Sequence, residues 1–179
     1  MIYRFKLVSD EVSNFAREIE IDSNATFLQL RNIILDSVDY TKEDIDSFFL
    51  CDDDWSRQEE IMLEDMGVSD DRDIWIMADT PLYELVEEEG QKLYFVFDYL
   101  TDRGFYMEMK EMLPGRSISD PICTLKLGKA PKQHIDMEEF EGKPETTSTG
   151  TTLDLEDIYG DDQYDAEDIS SGFDIDPNI

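Results

Sequence analysis

Composition changes sharply after His134, and the strand- and helix-patterned apolar runs that can share one core precede it, so the fold is expected from the first 134 of 179 residues. Beyond His134 the chain changes character: residues 135–179 carry fifteen acids and one base, Lys143, a net of 1 − 15 = −14. The whole chain stands at 15 − 45 = −30, which leaves −16 for residues 1–134. Roughly 100 to 150 residues make an ordinary domain. The expectation is therefore one domain over 1–134 and an acidic, largely disordered tail over 135–179. Gly142, Pro144 and the polar run 146–152 open that tail with too little apolar material to offset the entropy of ordering it. Further along, Leu153, Leu155, Ile158, Tyr159, Tyr164, Ile169, Phe173 and Ile175 are threaded among Asp and Glu. That interleaving fits either a solubilising arm or a peptide that docks on a basic apolar groove.

So acidic a surface is repelled by nucleic acid and by anionic lipid, because a protein that grips phosphates needs clustered Lys and Arg. Direct nucleic-acid binding and membrane binding are excluded on that ground, and a protein partner with a basic surface is expected. Cys51 and Cys123 lie 123 − 51 = 72 residues apart with no CxxC spacing, so they read as reduced thiols of a cytoplasmic protein. Residues 1–8 alternate apolar with basic side chains and lack the continuous apolar centre of a signal peptide. No stretch approaches the ~20 apolar residues that span a bilayer.

Within the first 134 residues, Tyr3, Phe5 and Leu7 alternate with Arg4 and Lys6, and Phe15, Ile19 and Ile21 alternate with polar neighbours, which predicts a hairpin of two half-buried strands. Thr26 and Gln29 form a capping-box pattern, followed by Phe27, Leu30, Ile34 and Val38 at helical spacing. Thr41 and Asp44 predict a short second helix ahead of a strand over 47–51. Hairpin, helix, strand is the opening of a β-grasp fold. Later segments predict a strand over 74–78, a short helical turn after Pro81, two long strands over 93–99 and 105–113 joined by a turn, and a last strand over 122–127. The fold class expected is α+β: a β-grasp-like mixed sheet of six or seven strands with one main helix, an extra C-terminal hairpin and strand, and the disordered acidic tail.

With these elements placed, the order of residues resembles the plasmid pRiA4b open-reading-frame-three-like family, small prokaryotic α+β proteins also found fused to mobile-element genes. The resemblance spans roughly residues 1–131. Its most recognisable stretch is a leucine-rich turn, a Gly, and a strand running into a Tyr-Asp-Phe-Gly-Asp motif. Leu82, Leu85, Gly90, Leu93, Phe95, Phe97, Asp98 and Tyr99 follow that order, with Leu100 where the family has Gly. Pro121, Cys123, Gly128, Ala130 and Pro131 resemble its later Pro-x-Cys segment. Asp44, Asp46 and Phe105 stand where the family has histidines, and Lys132 and Gln133 where it has a second cysteine and an acidic pair. The resemblance thus implies a fold, and implies that any metal or proton-transfer role of those groups is lost here.

No residue pattern designates a catalytic group, a cofactor site or a metal site. Asp52, Asp54 and Ser56 fall at the first, third and fifth positions of a calcium loop, but Arg57 and Leu63 occupy the positions that need Gly and Glu. One histidine and two distant cysteines cannot supply four zinc ligands. His134 is the one conventional base and reads as a mobile side chain at the junction with the tail. Against this background one charge feature stands out: residues 116–134 hold Arg116, Lys126, Lys129 and Lys132 against Asp120, a local 4 − 1 = +3. These four, with Tyr159, Tyr164 and Phe173 of the tail, are the candidate interaction residues. The expected function is a non-catalytic protein-interaction module with an acidic, hydrophobic tail that can fold back onto the basic strip. The alternatives are an acidic nucleic-acid mimic that binds a DNA-binding protein, and a carboxylate-based metal-binding protein or hydrolase.

Overall fold

Alternation at Tyr3, Phe5 and Leu7 builds β1 (Ile2–Val8), and β2 (Ala16–Asp22) returns antiparallel beside it. Thr26 then starts α1 (Phe27–Val38) with the anticipated capping box: its hydroxyl accepts from the Gln29 amide at 3.3 Å, and the Gln29 side chain accepts from the Thr26 amide at 3.0 Å. β3 (Ser47–Cys51), β4 (Arg57–Met62) and the two-residue β5 (Trp75–Ile76) follow. A 3₁₀ turn (Leu82–Glu84) leads to the long hairpin of β6 (Lys92–Asp98) and β7 (Arg103–Leu113), and β8 (Ile122–Leu127) closes the order. This computed structural model describes residues 1–65, 67 and 74–135.

All eight strands form one sheet in the order β5-β4-β3-β6-β7-β1-β2-β8, antiparallel throughout except for the parallel β4–β5 pair. The protein is thus a mixed α+β fold with one α-helix. α1 covers one face of the sheet, where Phe5, Leu7, Ile19 and Ile21 meet Phe27, Leu30, Ile34 and Leu35. Phe48 joins the two halves of that core, its ring 5.4 Å from Phe27 and 4.7 Å from Phe95. Each such fully buried side chain contributes roughly 1.5–3 kcal/mol. No helix covers the opposite face among the described residues. It carries an ionic row in which Arg4 bridges Glu20 and Glu111, and an aromatic patch of Trp55, Tyr94 and Tyr106 with Arg57 over the Tyr94 ring.

Three expectations need correction. The short helix after Thr41 is absent, because side chains take its backbone groups: Arg31 donates to the Lys42 and Asp44 carbonyls, and Gln133 bonds both the amide and the carbonyl of Thr41. The strand over 74–78 shrinks to Trp75–Ile76, since the Asp79 and Thr80 amides turn back to the Ile76 carbonyl while the Met77 carbonyl receives the Leu28 amide. β4 was not anticipated. Of its residues Arg-Gln-Glu-Glu-Ile-Met, Ile61 alone is fully buried, so no alternation marks it. The described residues fall within one compact unit, Met1–Met137, and the tail expectation concerns residues outside the description.

Candidate functional site

Among the described residues β8 ends the sheet, paired with β2 on one side and with no strand on the other. Residues directly opposite across a ladder share a face. Arg17 and Ile19 of β2 point toward the helix, so Lys126 and Cys123, their partners, lie on that face. Leu127, Leu125 and Ile122 pair with Ala16, Glu18 and Glu20 on the outer face. Strict alternation would place Ile122 opposite Leu125, but the register shifts between Glu18 and Ile19, and the extra residue Thr124 brings it back into the row. The result is three apolar side chains in line on a free edge, 50%, 38% and 54% exposed for Ile122, Leu125 and Leu127.

Arg17 holds this strand in place. Its buried guanidinium donates to the Leu127 carbonyl at 2.7 Å and the Gly128 carbonyl at 3.1 Å, and also to the carbonyls of Ala16 and Ser37. The last turn of α1 has no basic residue of its own, so Arg17 supplies the cation that complements the helix C-terminus. Gly128 ends the strand at φ +65°, and a Cβ there would lie 2.0 Å from the Asn14 carbonyl oxygen.

A second polar assembly surrounds a shallow cavity of about 340 Å³ between the 43–45 loop, the end of β6 and His134. Arg103 is its hub: it forms a two-bond pair with Glu11 at 2.9 Å, approaches Asp98 at 3.5 Å, and donates to the carbonyls of Lys132 and Gln133 at 2.7 and 3.3 Å. Burial opposes ionisation of Asp98, yet hydrogen bonds from the Thr101 hydroxyl and from the Thr101 and Leu100 amides, with Arg103 nearby, hold its carboxyl below the usual range. Burial pushes the Tyr40 hydroxyl up, partly offset by Arg103, and that hydroxyl donates to the Pro131 carbonyl at 2.6 Å. Burial, reinforced by Glu60, raises Tyr99. His134, expected to be mobile, has its Nε2 3.3 Å from Asp44, whose carboxylate also accepts from Gln133 at 2.8 Å. Through these bonds Tyr40, Asp44 and Arg103 strap residues 131–134 onto the domain.

Of the candidate interaction residues, Arg116, Lys126 and Lys129 are exposed and form no ion pair among the described residues. Lys126 lies on β8, Lys129 just beyond it and Arg116 in the connection before it. Lys132 is exposed and belongs to the strap through its carbonyl. Tyr159, Tyr164 and Phe173 lie outside the described residues. At Asp52 one carboxylate oxygen accepts from the Asp54 and Ser56 amides at 2.9 and 2.8 Å, an Asx turn that caps the strand end. Among the described residues no three His, Cys, Asp or Glu side chains are grouped to hold a metal, both cysteines are free, and no helix is long and apolar enough to cross a membrane. The positions matched to family histidines have other uses: Asp44 faces His134, Asp46 pairs with Arg31 in the interior, and Phe105 stacks on Phe15. The apolar row of β8 was missed because its alignment depends on the bulge against β2. Arg31 did leave a signal, being a charge on the apolar stripe of α1 that demanded a buried partner.

A family model described as plasmid pRiA4b ORF-3-like protein matches residues 2–171, and so runs on beyond residue 131 into the acidic segment. A crystal structure of a protein of unknown function from Methanosarcina mazei Go1 is similar at a TM-score of 0.53 and 18% identity, covering 70% of this chain and 68% of that one. At such identity the likeness concerns the fold alone. No curated protein matches the sequence.

Proposed function

The chain belongs to the plasmid pRiA4b ORF-3-like family, and from that premise we propose that it is a cytoplasmic, non-catalytic protein-interaction module that docks through the edge of its sheet. We take its opening hairpin, helix and strand as β-grasp-like, extended by the β6–β7 hairpin and by β8. The observation that carries the reading is the row Ile122, Leu125 and Leu127, each more than a third exposed, on a strand that has one unpaired side among the described residues. Long edge strands with apolar faces are liabilities unless they are covered or used. The polar groups of the cavity support the non-catalytic part, because Asp44 and Arg103 are engaged in holding the chain at 131–134 and Asp98 accepts from Thr101 and Arg103. A chain of net charge −30 favours a partner that is basic elsewhere on its surface. The test compares the proteins retained from a cell extract by the full chain and by its Leu125→Asp/Leu127→Asp variant. Leu125→Asp faces Glu18 across the ladder, so the melting temperature of the variant is read alongside to show that it stays folded, and a defined set of proteins held by the wild type is lost. Identical sets would end the proposal.

A further inference from the structure

Among the described residues, β8 is a six-residue edge strand, bounded by Pro121 on one side and Gly128 at positive φ on the other. Alternate amides and carbonyls of such a strand point away from the sheet and can pair with an incoming extended chain. The outer face beside that edge is apolar, through Ile122, Leu125 and Leu127. The helix-side face is positive: Lys126 projects there, in register with Arg17, and Lys129 follows. Arg17 is a buried cation whose N–H groups reach carbonyls and no carboxylate among the described residues, so its charge adds to that of Lys126.

A strand that fits both faces must alternate apolar with acidic side chains. A second copy of β8 does not, because it would bring Lys126 and Lys129 of each copy to a common seam, and lysine on an edge is a device against such self-pairing. The opposite edge of the sheet, β5, offers two residues. We propose that β8 binds, by strand addition, a partner segment of about six residues in which apolar and acidic side chains alternate. The proposal rests on the docking reading above and names the chemistry of the segment that docks.

The full chain is titrated with the blocked hexapeptide Val-Asp-Val-Glu-Val-Asp, a control of identical composition ordered Val-Val-Val-Asp-Glu-Asp, and Val-Lys-Val-Lys-Val-Lys. Amide shifts and hydrogen exchange are followed residue by residue. The alternating acidic peptide should bind at least ~10-fold tighter than the block-ordered control, with shifts and slowed exchange centred on residues 122–127. Lys126→Glu should reverse the preference toward the lysine peptide, and Leu125→Asp should remove binding of the acidic one. Equal binding of the two acidic peptides, shifts centred away from β8, or an unchanged preference in Lys126→Glu would each overturn the proposal. If the hexapeptide fails while Leu125→Asp/Leu127→Asp still loses its retained proteins, the docking surface stands and the strand chemistry falls. If both fail, the docking reading falls with it.

Discussion

Gly128→Ala tests how β8 is fastened, because two separable penalties meet there. Alanine at φ +65° costs about 1 kcal/mol in backbone strain. The added Cβ would also sit 2.0 Å from the Asn14 carbonyl oxygen and 2.9 Å from its carbon, both backbone atoms that no rotamer change can move. Relieving such a contact requires the chain to shift, at about 1–3 kcal/mol. Gly115 supplies the control: its φ is +72°, and nothing lies within 4 Å of its would-be Cβ. Gly115→Ala should therefore show the strain alone, and Gly128→Ala about 2–4 kcal/mol in all. The loss should be local, since β8 is an edge strand whose end is held by the β2 ladder and the Arg17 bonds to Leu127 and Gly128. Native-state hydrogen exchange is the assay. At a factor of ten per ~1.4 kcal/mol, amides of 125–127 should exchange roughly 30- to 1,000-fold faster in Gly128→Ala while those of β6 and β7 change little. Exchange at 125–127 no faster than in Gly115→Ala would refute the close approach as the fastening of this strand.

Arg31 and Asp46 form an interior pair, 4% and 3% exposed, with both carboxylate oxygens within 2.7 Å of the Arg31 Nε. Arg31→Met should cost about 3–5 kcal/mol in urea unfolding, and Arg31→Met/Asp46→Leu should recover most of it; a double variant whose cost equals the sum of those of Arg31→Met and Asp46→Leu would show that the pair is not coupled. Burial pushes the Tyr94 hydroxyl up to about 12, with the neighbouring Tyr106 adding to it. The folded state therefore keeps a proton that the unfolded chain loses near pH 10, so this stability is intact below about pH 10 and declines by about 3 kcal/mol as pH rises to about 12. Tyrosinate absorbance should accordingly include a late step, absent from Tyr94→Phe, that coincides with loss of near-UV dichroism, and identical titrations of the wild type and Tyr94→Phe would contradict it. Millimolar calcium should leave the amide shifts of 52–57 in place, because the Asp52 carboxylate is already taken by the Asp54 and Ser56 amides; a saturable shift there would reverse that assignment.

Local signals that needed no partner were legible. The β1–β2 hairpin appears because alternation and pairing coincide over seven residues each, and α1 begins where Thr26 and Gln29 form a capping box whose bonds both exist. What failed was local reading of segments whose backbone is claimed from elsewhere. Thr41 and Asp44 carry a helix-start pattern, but Arg31 from α1 and Gln133, some ninety positions away in sequence, bind the loop first. β4 forms because β3 offers it an edge, with Ile61 against Phe48 in register, although its own side chains are mostly polar and exposed. Propensity yields to tertiary context in both places.

The candidate site illustrates a further limit, that of parity. Read along the strand, Ile122 belongs with Thr124 and Lys126, and Leu125 and Leu127 belong with Cys123, so the apolar side chains divide between two faces. A single extra residue against β2 moves Ile122 across and leaves Lys126 beneath, converting a scattered composition into one apolar row over a face that carries Lys126. The basic residues could be counted in the sequence as a local excess. Their relation to the apolar ones could not, because it is created by a register shift that neither strand encodes alone. A bulge of this kind also increases local twist and turns the edge away from flat self-association. The same feature thus sets the two faces apart and limits which chains can add to the sheet: deleting Thr124 should keep Ile122, Leu125 and Leu127 in one row, because Ile-Cys-Leu-Lys-Leu alternates strictly, while removing the bulge that guards the edge against self-association.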